Sequence, residues 1–375
     1  MQSITFKPFA VLALLWMASL TVHAQLTSGT VLVVDRGAGT GGHGALLAFS
    51  GPQLSNIRQI ADFGNPSQAQ TADSGGNKVL GVDPISVSAS NNLLGATTIL
   101  VTDDGAGTDQ HGVVFKVDPI SGNFSVLSDF GNDSSSLGTE PDSVKIVPGL
   151  LNLLPAIWVT DANAGDGEAG EVFSIDPLTG ARSPVSDGGD PQKGPRTSSL
   201  IGLDVSSAGG PLLAVDNGAL ALWSIDLSGN RTLAVNFTDP TKALSKDASG
   251  SPVLGVDPIS VSAAANLVLD DGAGTKVVGE GGALVTSSAL FSVNLVTGTF
   301  TRISDFGNPA QDPPGVTSQN PLAVKAVPNS SGGFAITVLD EDGELYNVNP
   351  ATGKRTLLLD FSSIAEDPVA LEIVQ

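Results

Sequence analysis

The chain has 375 residues, with 17 Lys and Arg against 38 Asp and Glu, a formal charge of −21 and no cysteine. Such an acidic balance argues against nucleic acid and anionic membranes as partners and in favour of cations and basic surfaces. The absence of cysteine excludes disulfides, thiolate metal sites and a cysteine nucleophile, so stability has to come from the core alone.

Residues 1–24 hold Lys7, an apolar run from Phe9 to Leu20, and Val22-His23-Ala24 before Gln25. This reads as a secretory signal peptide with a small-residue cleavage site. The run is shorter than the roughly 20 apolar residues of a spanning helix, and no later stretch approaches that length. The expectation is an exported protein, periplasmic or extracellular, without stable membrane insertion, forming one monomeric domain over residues 25–375.

The rest of the chain repeats one pattern. An aliphatic strand ending in Asp recurs as VLVVD to Asp35, ILVTD to Asp103, IWVTD to Asp161, LLAVD to Asp216, NLVLD to Asp270 and ITVLD to Asp340. The strand after it places Phe115, Phe173, Trp223, Phe291 and Tyr346 at one equivalent position, with Leu47 standing there in the first copy. A tight turn follows (DPISGN, DPLTGA, DLSGN, NLVTGT, NPATGK), in which Pro or Asp initiates and Gly supplies the left-handed residue. A further strand then closes three of the copies on Asp-Phe-Gly, at Asp62, Asp129 and Asp305. Another strand opens each unit near Pro84, Pro141, Ser198, Pro258, Pro321 and Pro368. Four short strands at this period predict an all-β fold, a six-bladed β-propeller of four-stranded antiparallel blades.

The opening strands number one too few at the N-terminus and one too many at the C-terminus. Residues Pro368 to Val374 are therefore expected to complete the first blade, leaving no open edge in the ring. The run VLGVDPISVSA occurs at Val79 to Ala89 and again at Val253 to Ala263, 174 residues on, which suggests duplication of a half-propeller. The loops after the Asp-ending strand and after the fourth strand are long and irregular, and they share one face, where binding residues are usually found.

These repeats, an X-Pro start, an aliphatic run ending Val-x-Asp and then Phe-x-[Val/Ile]-Asp across residues 30 to 375, resemble the broad six-bladed group of NHL-repeat proteins, YVTN-type propellers and the gluconolactonase (senescence marker protein) family. The resemblance implies the propeller fold. Through the gluconolactonase-like members it also implies a divalent metal held by acidic and amide groups at the starts of innermost strands, chemistry that Glu140-Pro141 and Asp83-Pro84 offer here.

Three sets of residues have ligating chemistry. Asp83, Glu140, Asp257, Asn320 and Asp367 each precede a Pro, with Thr197 at the divergent fourth copy. Blade symmetry is expected to gather them into a ring at the channel mouth, either as a cation site with Asp83, Glu140 and Asp257 as ligands or as separate turn caps. His43 and His111 each lie eight residues after a strand-ending Asp; they suit a metal site with Asp35 or Asp103, or are two copies of one ancestral loop. The Asp-Gly-rich loops, including Asp161 to Glu168 and Asp340 to Glu344, carry the hard oxygens Ca2+ prefers, while the first Asp of each also suits a turn cap.

No nucleophile elbow or phosphate loop is present, and the kinase companions of Asp-Phe-Gly are missing. The expected function is an exported binding or interaction module for a protein or small-molecule ligand, with Ca2+ or another divalent cation and no organic cofactor. The alternative is a metal-dependent, lactonase-like hydrolase with a carboxylate-lined site at the channel mouth.

Overall fold

A computed structural model of the chain describes residues 26–91, 96–132, 138–147, 155–205, 210–278, 284–313 and 320–375. Six four-stranded antiparallel sheets form six blades around a central channel. Blade two is representative, with strands Pro84–Asn91, Thr97–Asp103, Val113–Val117 and Phe124–Asp129 running from the channel outwards. The other innermost strands are Pro141–Val147, Leu200–Val205, Pro258–Ser262, Pro321–Pro328 and Pro368–Ile373. The last belongs to blade one: it pairs antiparallel with Val31–Asp35, Ile373 opposite Val31 and Leu371 opposite Val33. Chain closure thus follows the sequence expectation.

Each innermost strand opens with a register shift, as between Pro84 and Ser86 or Pro141 and Ser143. Proline has no N–H for the ladder and is tolerated at a first strand position or a bulge. Every third strand likewise slips against the fourth just before its central residue, as between Val114 and Phe115. Such bulges increase the local twist a blade needs. The central residues Phe115, Phe173, Phe291 and Tyr346 are wholly buried.

Blades are joined largely by the Phe that follows the fourth strand, within Asp-Phe-Gly or its variants Asn-Phe-Thr and Asp-Phe-Ser. Phe63, following the fourth strand of blade one, packs on Phe115 and Phe124 of blade two at centroid distances of 5.6 and 5.2 Å. Phe237 does the same to Phe291 and Phe300 at 5.9 and 5.2 Å, and Phe361 closes the ring on Phe49 at 4.8 Å. At other junctions an arginine opening the fourth strand takes over. Buried Arg231 donates to the Gly188 and Asp190 carbonyls, and buried Arg355 to the Asp305 carbonyl and Ser304 Oγ. The Asp of the motif holds a loop of its own blade: Thr40, Thr108 and Thr275 each give their amide and hydroxyl to Asp62, Asp129 and Asp305 respectively. The GAGT loops and the Asp-Phe-Gly turns are therefore two halves of one lock.

The fifth position of the innermost strands reads Ser88, Lys145, Asp204, Ser262, Lys325 and Glu372 around the channel. Lys145 Nζ lies 2.9 Å from Asp204 Oδ1 and 3.1 Å from Glu372 Oε2, and Lys325 Nζ lies 3.7 and 3.5 Å from the same two carboxylates. Between them, Ser88 Oγ accepts the Ile146 amide at 3.0 Å and Ser262 Oγ the Ala326 amide at 2.9 Å. The alternation repeats every three blades, matching the duplicated sequence runs. Burial opposes the Lys145 charge, but Asp204 and Glu372 more than compensate and raise its pKa; both lysines in turn hold buried Asp204 down at about 2.

Candidate functional site

The strand-ending aspartates account for the geometry of the channel mouth. In blades one to five the carboxylate is fully buried and accepts the amides of the two residues ahead of the innermost strand: Glu366 and Asp367 on Asp35, Val82 and Asp83 on Asp103, Thr139 and Glu140 on Asp161, Ser198 and Ser199 on Asp216, Val256 and Asp257 on Asp270. Four of these carboxylates also cap their own turns, Asp35 for Ala38, Asp103 for Gly105 and Ala106, Asp161 for Asn163 and Asp216 for Ala219. With its backbone drawn to the buried Asp, the residue ahead of the innermost strand in each of these five blades is held at the channel mouth.

The fourth copy requires a correction. Leu200, not Ser198, stands opposite Asp216 where Pro84 stands opposite Asp103, so the pre-proline equivalent is Ser199 rather than Thr197. Thr197 is buried and donates its hydroxyl to the Ala169 carbonyl. Without a proline to mark the register, a two-residue error arises.

Of the expected ring, Asp367 and Asp83 share one cation: Arg36 Nε lies 2.7 Å from Asp367 Oδ2 and 3.4 Å from Asp83 Oδ1. Glu140 accepts the Asn163 amide group, Asp257 bonds Asn217, and Asn320 donates to Glu341. Asp104 and Asp271, each following a strand-ending Asp, add two more carboxylates. Apart from Asp83 and Asp367, no carboxylate of this mouth makes an ion pair among the described residues. Asp83, Glu140 and Asp257 come from three different blades around the channel, and they do not meet as a three-ligand cluster. His43 is half-buried with Nδ1 2.6 Å from the Gly81 carbonyl, at the rim of a groove of about 900 Å³ between blades. His111 is exposed on the next blade's loop, and neither histidine belongs to a three-ligand group among the described residues.

Sequence reading missed Asp142. In the collar just inside the mouth, the residue after each innermost-strand start is Ile85, Ile201, Ile259, Leu322 or Val369, and in blade three it is Asp142. Its Oδ2 accepts the Ala162 amide at 2.6 Å. Burial, then the nearby Asp161, Asp104 and Glu140, push its pKa up to about 8. Asp104 is pushed up to about 6 by burial and by Asp83, Asp103 and Glu140, and Asp257 is raised by burial and Asp271.

A carboxyl whose folded-state pKa exceeds its unfolded value of about 4 stabilises the fold fully below that value and loses this contribution as pH rises through the folded one. For Asp104 and Asp142 the window runs from about pH 4 to about 8. The denaturation midpoint is therefore expected to fall between pH 5 and pH 8.5, and Asp142→Asn, which fixes the uncharged form, to flatten that fall. A wild-type midpoint that rises over this range would contradict these assignments.

The comparisons agree on the scaffold. The chain is similar to a chain in the crystal structure of the nidogen/laminin complex, at 10% identity and TM-score 0.55, over 91% of this chain and 97% of that one. It is also similar to TolB from Acinetobacter baumannii, at 11% identity and TM-score 0.51, over 96% of this chain and 70% of that one. No protein-family model and no curated protein matches the sequence. At such identities the likeness shows the fold, a six-bladed β-propeller, and function has to be argued from the site. Among the described residues no helix is long and apolar enough to cross a membrane.

Proposed function

We propose that this chain is an exported binding module whose acidic channel mouth receives a positively charged group, in particular a basic side chain of a partner protein. The observation behind this reading is Arg36. One guanidinium already sits between Asp83 and Asp367, and Asp367 raises its pKa. Asp104 stands beside this pair and also feels Arg36, while Glu140, Asp257 and Asp271 on other blades have the same chemistry and make no ion pair among the described residues. Four basic residues are turned away from the mouth, Lys145 and Lys325 into the channel and Arg231 and Arg355 between blades, and the chain as a whole carries a formal charge of −21. The field outside the mouth is therefore left negative, which speeds the approach of a cationic partner. The salt-bridge ring crosses the channel behind Asp142, so a ligand is received at the mouth and does not pass through. One similar fold was solved within the nidogen/laminin complex, which fits an interaction role for such a scaffold.

The test is calorimetric titration of a capped Gly-Arg-Gly peptide into the wild type and into Asp104→Asn/Glu140→Gln/Asp257→Asn. Weak binding that salt suppresses and the triple variant loses is expected. A control variant, Asp73→Asn/Asp247→Asn, removes two exposed loop charges and should bind as the wild type does. Equal binding by all three proteins, or none by the wild type, would dismiss the mouth as the site.

A further inference from the structure

We propose that Asp340, Asp342 and Glu344 form a divalent-cation site in blade six, of the hard-oxygen kind that Ca2+ occupies. Their carboxylate oxygens lie within 4.8 Å of one another, and they are the only such group of three among the described residues. Proximity of acids alone does not make a site. What points to a ligand is the failure of blade six to do what the other five do.

In blades one to four the strand-ending Asp has its carboxylate taken up by backbone amides on both sides, three to each of Asp35, Asp161 and Asp216 and four to Asp103, and in blade five Asp270 takes the Val256 and Asp257 amides. Asp340 occupies the same register and is equally buried, at 0% exposure. Among the described residues it receives one long bond, from the Asp342 amide at 3.3 Å, and its buried Oδ2 has no hydrogen-bond partner there. A buried, unpartnered carboxylate oxygen is costly, and a bound cation is one way to satisfy it.

The local sequence explains how two more carboxylates reach it. Asp340 pairs with Glu344 across a three-residue connection, and Gly343 at φ +84° permits the tight return. Residues 340, 342 and 344 thereby converge. The position of Glu344 is held by Ala45, Val113, Ala221 and Ala289 in four other blades, so the acid there is particular to this loop and to Glu171 of blade three. Tyr346 donates its hydroxyl to Glu344 Oε2 at 2.9 Å, which fixes the side chain. Glu341 is engaged instead with Asn320 on the mouth side. No Lys or Arg pairs with any of the three acids among the described residues. Three carboxylates, with water or a partner's oxygens completing the shell, suit the flexible coordination of Ca2+ better than the strict octahedron of Mg2+, at an affinity typical of extracellular modules, ~10⁻⁴–10⁻³ M.

Tyr346 is the only tyrosine in the chain and touches the site, so it can sensitise a bound lanthanide. The experiment is Tb3+ luminescence, excited in the tyrosine band, on the full chain freed of divalent cations, together with melting curves with and without about 10 mM Ca2+. The wild type should show sensitised emission that Ca2+ competes away, and a melting temperature about 2–4 °C higher in Ca2+. Asp342→Asn/Glu344→Gln should lose both while melting no lower than the wild type without Ca2+, since it removes repulsion from the surface. Tyr346→Phe should lose most of the emission and keep the Ca2+ shift. Asp83→Asn/Asp104→Asn, at the mouth, should keep both. Emission or a Ca2+ shift unchanged in Asp342→Asn/Glu344→Gln would overturn the proposal, as would their absence in the wild type.

Discussion

A chain ending at Asp367 is expected not to hold a cooperative fold. Residues 368–375 supply the innermost strand of blade one, pairing from Pro368 opposite Asp35 to Ile373 opposite Val31, with Val374 exchanging backbone bonds with Gly29 and Thr30. Ala370, Leu371, Ile373 and Val374 are all buried there. Burying three aliphatic side chains the size of Leu, Ile and Val stabilises by about 1.5–3 kcal/mol each, a sum comparable with the whole stability of an ordinary domain, about 5–15 kcal/mol. The truncation also bares the edge of Val31–Asp35, an aliphatic strand that would pair with other chains. Thermal unfolding followed by circular dichroism decides it. A truncated protein melting within a degree or two of the full chain would contradict the closure.

The second large effect is expected at the channel. Lys145→Met leaves Asp204 and Glu372, at 5% and 4% side-chain exposure, with Lys325 as their only cation, at 3.7 and 3.5 Å. Removing one member of a buried ion network typically costs about 3–5 kcal/mol, because a charge is left uncompensated, and for a domain of this size that is a fall of about 4–7 °C in Tm. Replacing all four charges by apolar residues of similar volume should recover most of the loss, since buried pairs seldom outperform a packed core. A single variant melting with the wild type would show that the four charges are solvated and independent. For Asp204 the pH dependence has the opposite sign to that of the mouth carboxyls. Its folded value, near 2, lies below the unfolded one, so its contribution is present above about pH 4 and is lost as pH falls towards 2.

The blades were legible because each strand announces itself locally: Val, Ile and Leu runs ending in Asp, an aromatic in register, and turns whose Asp or Asn side chain caps the next amides, as Asp118 does for Ile120 and Ser121. Closure was legible by counting. The mouth was only partly so. Pre-proline residues do ring the channel, but what holds them is the buried Asp of the neighbouring strand, a contact 13 to 22 residues away in blades two to five and 331 or 332 away in blade one. No local pattern encodes that. Ser199 was misplaced for want of a proline, and Asp142 was hidden because a bulge, not simple alternation, turns that residue into the collar. The ring of Lys145, Asp204, Lys325 and Glu372 had a signal: four charges at one register of otherwise apolar strands. Read strand by strand they look like solvated edges; only closing the circle brings them face to face. Asp340 shows the converse. Its sequence matches the other five copies, and its difference is a lack of donors among the described residues that only the hydrogen-bond network displays.

Amide chemical-shift mapping of the isotopically labelled protein with the capped Gly-Arg-Gly peptide tests the central claim most directly. Shifts concentrated at Arg36, Asp83, Asp104, Glu140 and Asp142 and suppressed by salt are the predicted result. Shifts confined to the opposite face of tight turns, or spread evenly over the acidic surface, would contradict a cation-receiving mouth.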